Sequence, residues 1–254
     1  MKTKKMTRFS FSKKNCYINL PKSWSDCSDE DKLRIFKVMR LNKNVNQCLT
    51  LIIVALLDIR IVDKLPKGWL VKPRRWFSRR HLLTSSDFTF MISKIKWIEE
   101  IPSFPVNIKQ IGKFSVVNSE LKGVSFITFL TCDTLYQAFI KSDNWEYIHR
   151  MAKFLYAYKN KDIKLNDDQA YSIFYWWYSL KCYYNKKFPF LFASAPEGAS
   201  SDEVESSVNA QIRILTGGDI TKEKEIYEHD AYRAITELNE KAREIYESNK
   251  KLKK

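Results

Sequence analysis

Arg74, Arg75, Arg79 and Arg80, with Trp76 and Phe77 between the two pairs, are the side chains here best suited to recognising a ligand. A guanidinium meets a phosphate through two parallel hydrogen bonds, and an indole offers a flat face to a base. The basic stretch 67–81 (KGWLVKPRRWFSRRH) could therefore hold nucleic acid; the plainer reading is a cationic surface loop anchored by its tryptophans. Covalent chemistry finds less material. His81, His149 and His229 stand apart, and none has a second His, Cys or carboxylate at a metal-ligating spacing. Cys16, Cys27, Cys48, Cys132 and Cys182 are odd in number and never spaced as CxxC, so free thiols in a reducing cytoplasm are expected. No P-loop, dinucleotide-binding glycine pattern or nucleophile elbow is present. The expectation is a protein that is not an enzyme and has no cofactor or metal.

A second constellation suits a protein partner. Ala231, Ile235, Leu238, Ala242 and Ile245 recur at spacings of four and three, a narrow apolar seam on a helix. It can pack on its own domain, on a partner, or on a second copy. Upstream, Gly217 and Gly218 follow the apolar Ile212, Ile214 and Leu215, where helices commonly stop on a left-handed glycine. Asp219 and Thr221 stand where N-caps would. Gly217, Gly218 and Asp219 are thus read as a hinge, with the final helices standing off the body.

The elements that must position these residues read as mainly α with a small β element (α+β): a helical body plus a C-terminal helical hairpin-like segment. A strand is expected over 16–20. Ser28 and Asp31 resemble a capping box before a helix reaching about Asn42. A second helix is expected over 45–63, around the apolar run 49–57 (LTLIIVALL), which is about half the length a membrane span needs. Pro66, Gly68 and Pro73 suggest a loop, and 87–96 is ambiguous between helix and strand. Strands are expected over 106–111 and 114–117. Two helices meet near Ser142 and Asp143, and Asn166 caps another that carries Tyr171, Phe174, Tyr175, Trp176, Trp177, Tyr178 and Tyr183. That aromatic face reads as core, with one of the adjacent tryptophans free to reach a partner. The small, acidic stretch 193–207 is taken as a linker between a body, 1–192, and a C-terminal segment, 208–254.

Charge is divided along the same line. Residues 201–254 hold 10 Lys and Arg against 12 Asp and Glu, which leaves the first 200 residues with 34 against 17, a net of +17. Such a body attracts an acidic partner or simply stays dispersed.

Three passages resemble a family of proteins from phages and prophage-like elements of Bacteroidetes, the tail assembly (tape-measure) chaperones. They are YINLPKSW at 17–24 before an acid-capped helix; GVSFITF (123–129) with DTLYQAF (133–139) and FPFLF (188–192); and LTGGDITKEKE (215–225) followed by a helix through AITELN (234–239). The resemblance implies a structural factor without catalytic residues that coats a long helical tape-measure protein during tail assembly. It implies work in the bacterial host cytoplasm, with the protein retained in the virion or not. The alternative is a nucleic-acid-binding phage or mobile-element protein using Arg74, Arg75, Trp76, Arg79 and Arg80. No membrane partner is expected.

Overall fold

The computed structural model describes residues 9–11, 16–41, 44–74, 79–156, 163–192 and 201–252. The chain is mainly helical with small antiparallel sheets, and it forms two compact units, Met1–Ile101 and Pro102–Lys254. The division expected at 193–207 is therefore displaced. Residues 102–192 and 208–254 share one core, and 201–207 of the expected linker belong to a helix; residues 193–200 lie outside the described ones.

In the first unit, β1 (Phe9–Phe11) pairs with β2 (Cys16–Ile18). Helix α1 (Asp29–Leu41) starts at a reciprocal cap, with the Ser28 N–H donating to Asp31 Oδ2 at 3.0 Å and the Asp31 N–H to Ser28 Oγ at 3.2 Å. Helix α2 (Val45–Leu56) carries the apolar run and buries Ile52 and Ile53. Arg34 donates to Ala55 O at 3.1 Å, placing a cation at the carbonyl end of α2.

The chain then turns at Asp58, whose φ is 54°, into β3 (Ile59–Leu65). The helix expected to reach Asp63 stops seven residues earlier, at Leu56. Ile59, Ile61 and Val62 are β-branched and suit a pleated edge better than another helical turn. The expected loop is likewise a hairpin: Pro66 and Lys67 make the turn, β4 (Gly68–Pro73) pairs with β3, and β5 (His81–Leu83) pairs with β4. Residues 87–96 resolve as helix α3 (Ser85–Ile95), begun by a capping box between Thr84 and Asp87. The core of this unit gathers Ile35, Phe36, Ile52, Ile53, Ile59, Val71, Met91 and Ile95. Trp24 lies flat against Phe36, ring centroids 5.7 Å apart.

In the second unit the expected strands shrink to β6 (Gln110–Ile111) and β7 (Phe114–Ser115) around Gly112, which takes φ 58°. Helices α4 (Phe126–Ser142) and α5 (Glu146–Leu155) meet at Asp143, in the left-handed region at φ 52°. Helix α6 (Asp167–Lys187) is capped by Asn166 with Gln169, and it is the axis of the core. Ile173, Trp176, Trp177, Leu180 and Tyr184 are all fully buried. Adjacent tryptophans point to different sides of a helix, yet neither reaches the surface, because α6 is covered on both. The Trp176 indole donates to Ser119 O at 3.0 Å, and that of Trp177 to Asp133 Oδ1 at 3.2 Å. After α7 (Pro189–Phe192) come α8 (Ser201–Thr216), α9 (Glu223–Glu228) and α10 (Ala231–Leu252). No helix among the described residues is long and apolar enough to cross a membrane.

Candidate partner-binding surface at the end of the last helix

Helix α10 starts inside the fold. The Ala231 N–H donates to Val124 O at 2.7 Å, the Phe126 N–H to His229 O at 2.7 Å, and the Gly123 N–H to the Asp230 carboxylate. Asp230 also accepts from the Arg233 N–H at 2.8 Å, capping α10. Ala231, Ala234, Ile235 and Leu238 are buried in the same core as the α6 aromatics, on a helix packed against α4, α7 and α8. This corrects two expectations. The last helix does not stand off its body, and three of the five seam residues (Ala231, Ile235 and Leu238) fill the chain's own core. Burial of a large aliphatic side chain is worth about 1.5–3 kcal/mol, enough to dock the helix when repeated along it.

Further along, Asn239 accepts from the Phe190 and Leu191 N–H groups at 3.1 and 3.3 Å, so a buried α10 amide caps the short α7. Lys241 donates to Ile214 O at 2.8 Å, satisfying a carbonyl in the last turn of α8. Beyond these two fasteners the helix leaves its core. Ala242 is half-buried, every described side chain from Arg243 onward is exposed, and Ile245 and Tyr246 are each 57% exposed. Phe190 projects from α7 to meet Tyr246, ring centroids 5.7 Å apart. The apolar stripe thus continues about two turns past the core that explains its first half. Arg243 holds Glu240 and Glu247 at 2.8 and 3.3 Å along the adjacent face, bracketing the stripe with paired charge. Sequence spacing identified Ala242 and Ile245; it missed Phe190 and Tyr246, which tertiary packing brings to them.

At the expected hinge, Gly217 and Gly218 have φ 65° and 86°, and the Gly218 N–H donates to Arg213 O at 3.0 Å, closing the α8 terminus. The Asp219 carboxylate accepts from the Thr221 N–H at 3.0 Å. The glycines end one helix and Asp219 caps the next turn, as their types suggest.

A polar cluster behind this region was not anticipated. Glu120 accepts from Lys122 at 2.9 Å and from the Tyr183 hydroxyl at 3.1 Å, and both Lys122 and Lys187 lie over the Tyr232 ring. Burial alone would raise the Glu120 carboxyl, but the hydrogen bonds from Lys122 and Tyr183, with the two lysine charges, hold it below the ordinary range. A carboxyl depressed on folding stabilises above its unfolded value, near 4.3, and that contribution disappears as pH falls through the folded value. Glu120→Gln should therefore lower the melting temperature at pH 7 but match the wild type near pH 3. An equal deficit at both pH values would show that the cluster acts by shape rather than charge.

Elsewhere, Arg74, Arg79 and Arg80 are exposed, while Arg75 and Trp76 lie outside the described residues. Burial, and then the neighbouring Asp133 charge, push the Cys132 thiol well above its ordinary value, leaving it a poor nucleophile. Among the described residues no three His, Cys, Asp or Glu side chains gather in a way that could hold a metal ion. Comparison with known proteins finds no matching family model, no matching curated protein and no matching solved structure.

Proposed function

We propose that this chain is a non-enzymatic tail assembly factor of a phage or prophage-like element, which binds a helical, tape-measure-like phage protein through the free end of α10. The observation that carries this reading is an apolar stripe that outlasts its own core, ending in Ala242, Ile245 and Tyr246 with Phe190 beside them. An amphipathic helix of a partner would bury those side chains while its polar face stayed in water. The resemblance of 17–24, 123–139, 188–192 and 215–239 to tail assembly chaperones supplies the kind of partner. Such a factor acts in the host cytoplasm and needs no cofactor.

Co-expression with the tape-measure-like protein of the same element, followed by affinity capture, tests the proposal. Ile245→Glu with Tyr246→Glu should abolish capture and leave the circular dichroism spectrum unchanged. Undiminished capture by that variant would remove α10 from the interface. Failure of the wild type to capture the partner, together with a wild-type dimer that the double variant dissolves, would reassign the stripe to self-association.

A further inference from the structure

The sheet β3–β4–β5 has two faces with opposite characters. Ile59, Val71 and Leu83 are buried on the inner face, where Trp69 meets Phe88 edge to face at 5.0 Å. Side chains alternate along a strand, so the residues between them point outward. There Arg60 pairs directly with Lys72 across β3 and β4. Val71 pairs with His81, so the same register continued by one step sets Lys72 opposite Arg80, just before β5. A row of three cations, Arg60, Lys72 and Arg80, therefore crosses the outer face at the strand spacing, over roughly 10 Å.

The surroundings do not neutralise this row. Residues 59–83 hold eight Lys and Arg against a single acid, Asp63. Asp63, opposite Leu70, shares this face one row along and accepts from the Lys64 N–H at 2.8 Å, and the nearby Asp58 lies 3.8 Å from Arg74 and 4.0 Å from Arg34. No described carboxylate lies within 4.0 Å of Arg60, Lys72 or Arg80. Like charges placed directly opposite each other destabilise a sheet. An external anion with several charges at short spacing reverses that cost.

We propose that this outer face binds the sugar-phosphate backbone of nucleic acid, without reading its sequence. Three considerations select that anion. Two of the three cations are arginines, whose planar forks match phosphate oxygens. The spacing between them suits a chain of regularly placed phosphates better than a single bound ion. The apolar residues sharing the face, Leu70 and Leu82, are aliphatic and provide no stacking platform for bases. The surface lies in the Met1–Ile101 unit and is separate in the chain from the end of α10, so it is a function additional to partner binding.

The test is fluorescence anisotropy of the full chain with a labelled DNA duplex of random sequence, titrated between 50 and 200 mM NaCl. With three phosphates neutralised, the affinity should fall roughly fortyfold across that range, since each contact releases a counterion. Arg60→Glu, Lys72→Glu and Arg80→Glu together should weaken binding at least tenfold at the lowest salt. A control with the same change in net charge, Lys224→Glu, Lys250→Glu and Lys251→Glu, should bind as the wild type does. Both triple variants must keep the wild-type circular dichroism spectrum. Equal loss in the two variants would reduce the effect to overall charge and overturn the site. Absence of binding at 50 mM would overturn it as well. Capture by phosphatidylserine vesicles, or competition by polyglutamate as effective as by unlabelled DNA, would overturn the choice of nucleic acid as the partner.

Discussion

Ile235→Glu is expected to unfold the Pro102–Lys254 unit, while Ile245→Glu, ten residues on along the same stripe of the same helix, should leave it folded. Ile235 is fully buried in the core of this unit, and Ile245 is 57% exposed. A carboxylate at position 235 loses its hydration and finds no cation in the core. The cost is about 4–5 kcal/mol or more, on the scale of an entire domain's stability. At position 245 the same substitution stays in water and should change stability by no more than about 0.5 kcal/mol. Urea unfolding monitored by tryptophan fluorescence separates the two, because Trp176 and Trp177 report on this core. A small effect at Ile235 would mean that the helix docks only loosely. The contrast matters for function: only the tolerant half of the stripe is available to a partner.

That contrast also marks how far the sequence could be read. Signals confined to a few neighbouring residues were legible: the caps at Ser28 and Asn166, the break at Asp143, and the glycine terminus at Gly217 and Gly218. Each depends on a side-chain cap or a left-handed backbone position within a few residues, so distant contacts have little hold on it. The mainly helical class followed from the same signals. The stripe 231–245 was legible as a stripe, but its spacing is identical whether a helix faces its own core or another chain. Only the covering elements decide, and these are α4, α7 and α8, up to about a hundred residues upstream. Phe190 and Tyr246 were missed for the same reason. The strand Ile59–Leu65 was misread because it follows an apolar helix with only Leu57 and Asp58 between them; the turn rests on the left-handed backbone of Asp58, a single turn-forming residue set between two apolar runs. The arginine-rich stretch was legible as charge, whereas the alignment of Arg60 with Lys72 required the strand register.

Gly68→Ala is expected to be among the most damaging single-methyl additions in the first unit, and the reason is again the sheet. Gly68 opens β4 at φ +148°, and a Cβ built there would sit 2.2 Å from Leu83 O and 2.9 Å from Thr84 Cα. Both neighbours are backbone, so neither can swing aside as a flexible side chain would. Either β4 separates from β5, breaking the pairing of Trp69 with Leu83, or the start of α3 moves with its Thr84–Asp87 capping box. Overpacking of this kind costs about 1–3 kcal/mol, and the backbone conformation adds about 1–3 kcal/mol, so a total near 3–5 kcal/mol is expected. Gly112→Ala is the matched comparison. Its φ is also positive, at +58°, but no atom lies within 4 Å of the added methyl, so only backbone strain of about 1 kcal/mol applies. Hydrogen exchange resolves the two cases by location. In Gly68→Ala the amides of β4, β5 and the first turn of α3 should lose protection while those of α6 keep it. Equal, mild effects of the two substitutions would mean that the β4–β5 edge relaxes freely around the methyl. The outward row of Arg60, Lys72 and Arg80 would then rest on a pliable support, and phosphate binding would have to order the sheet as it occurs.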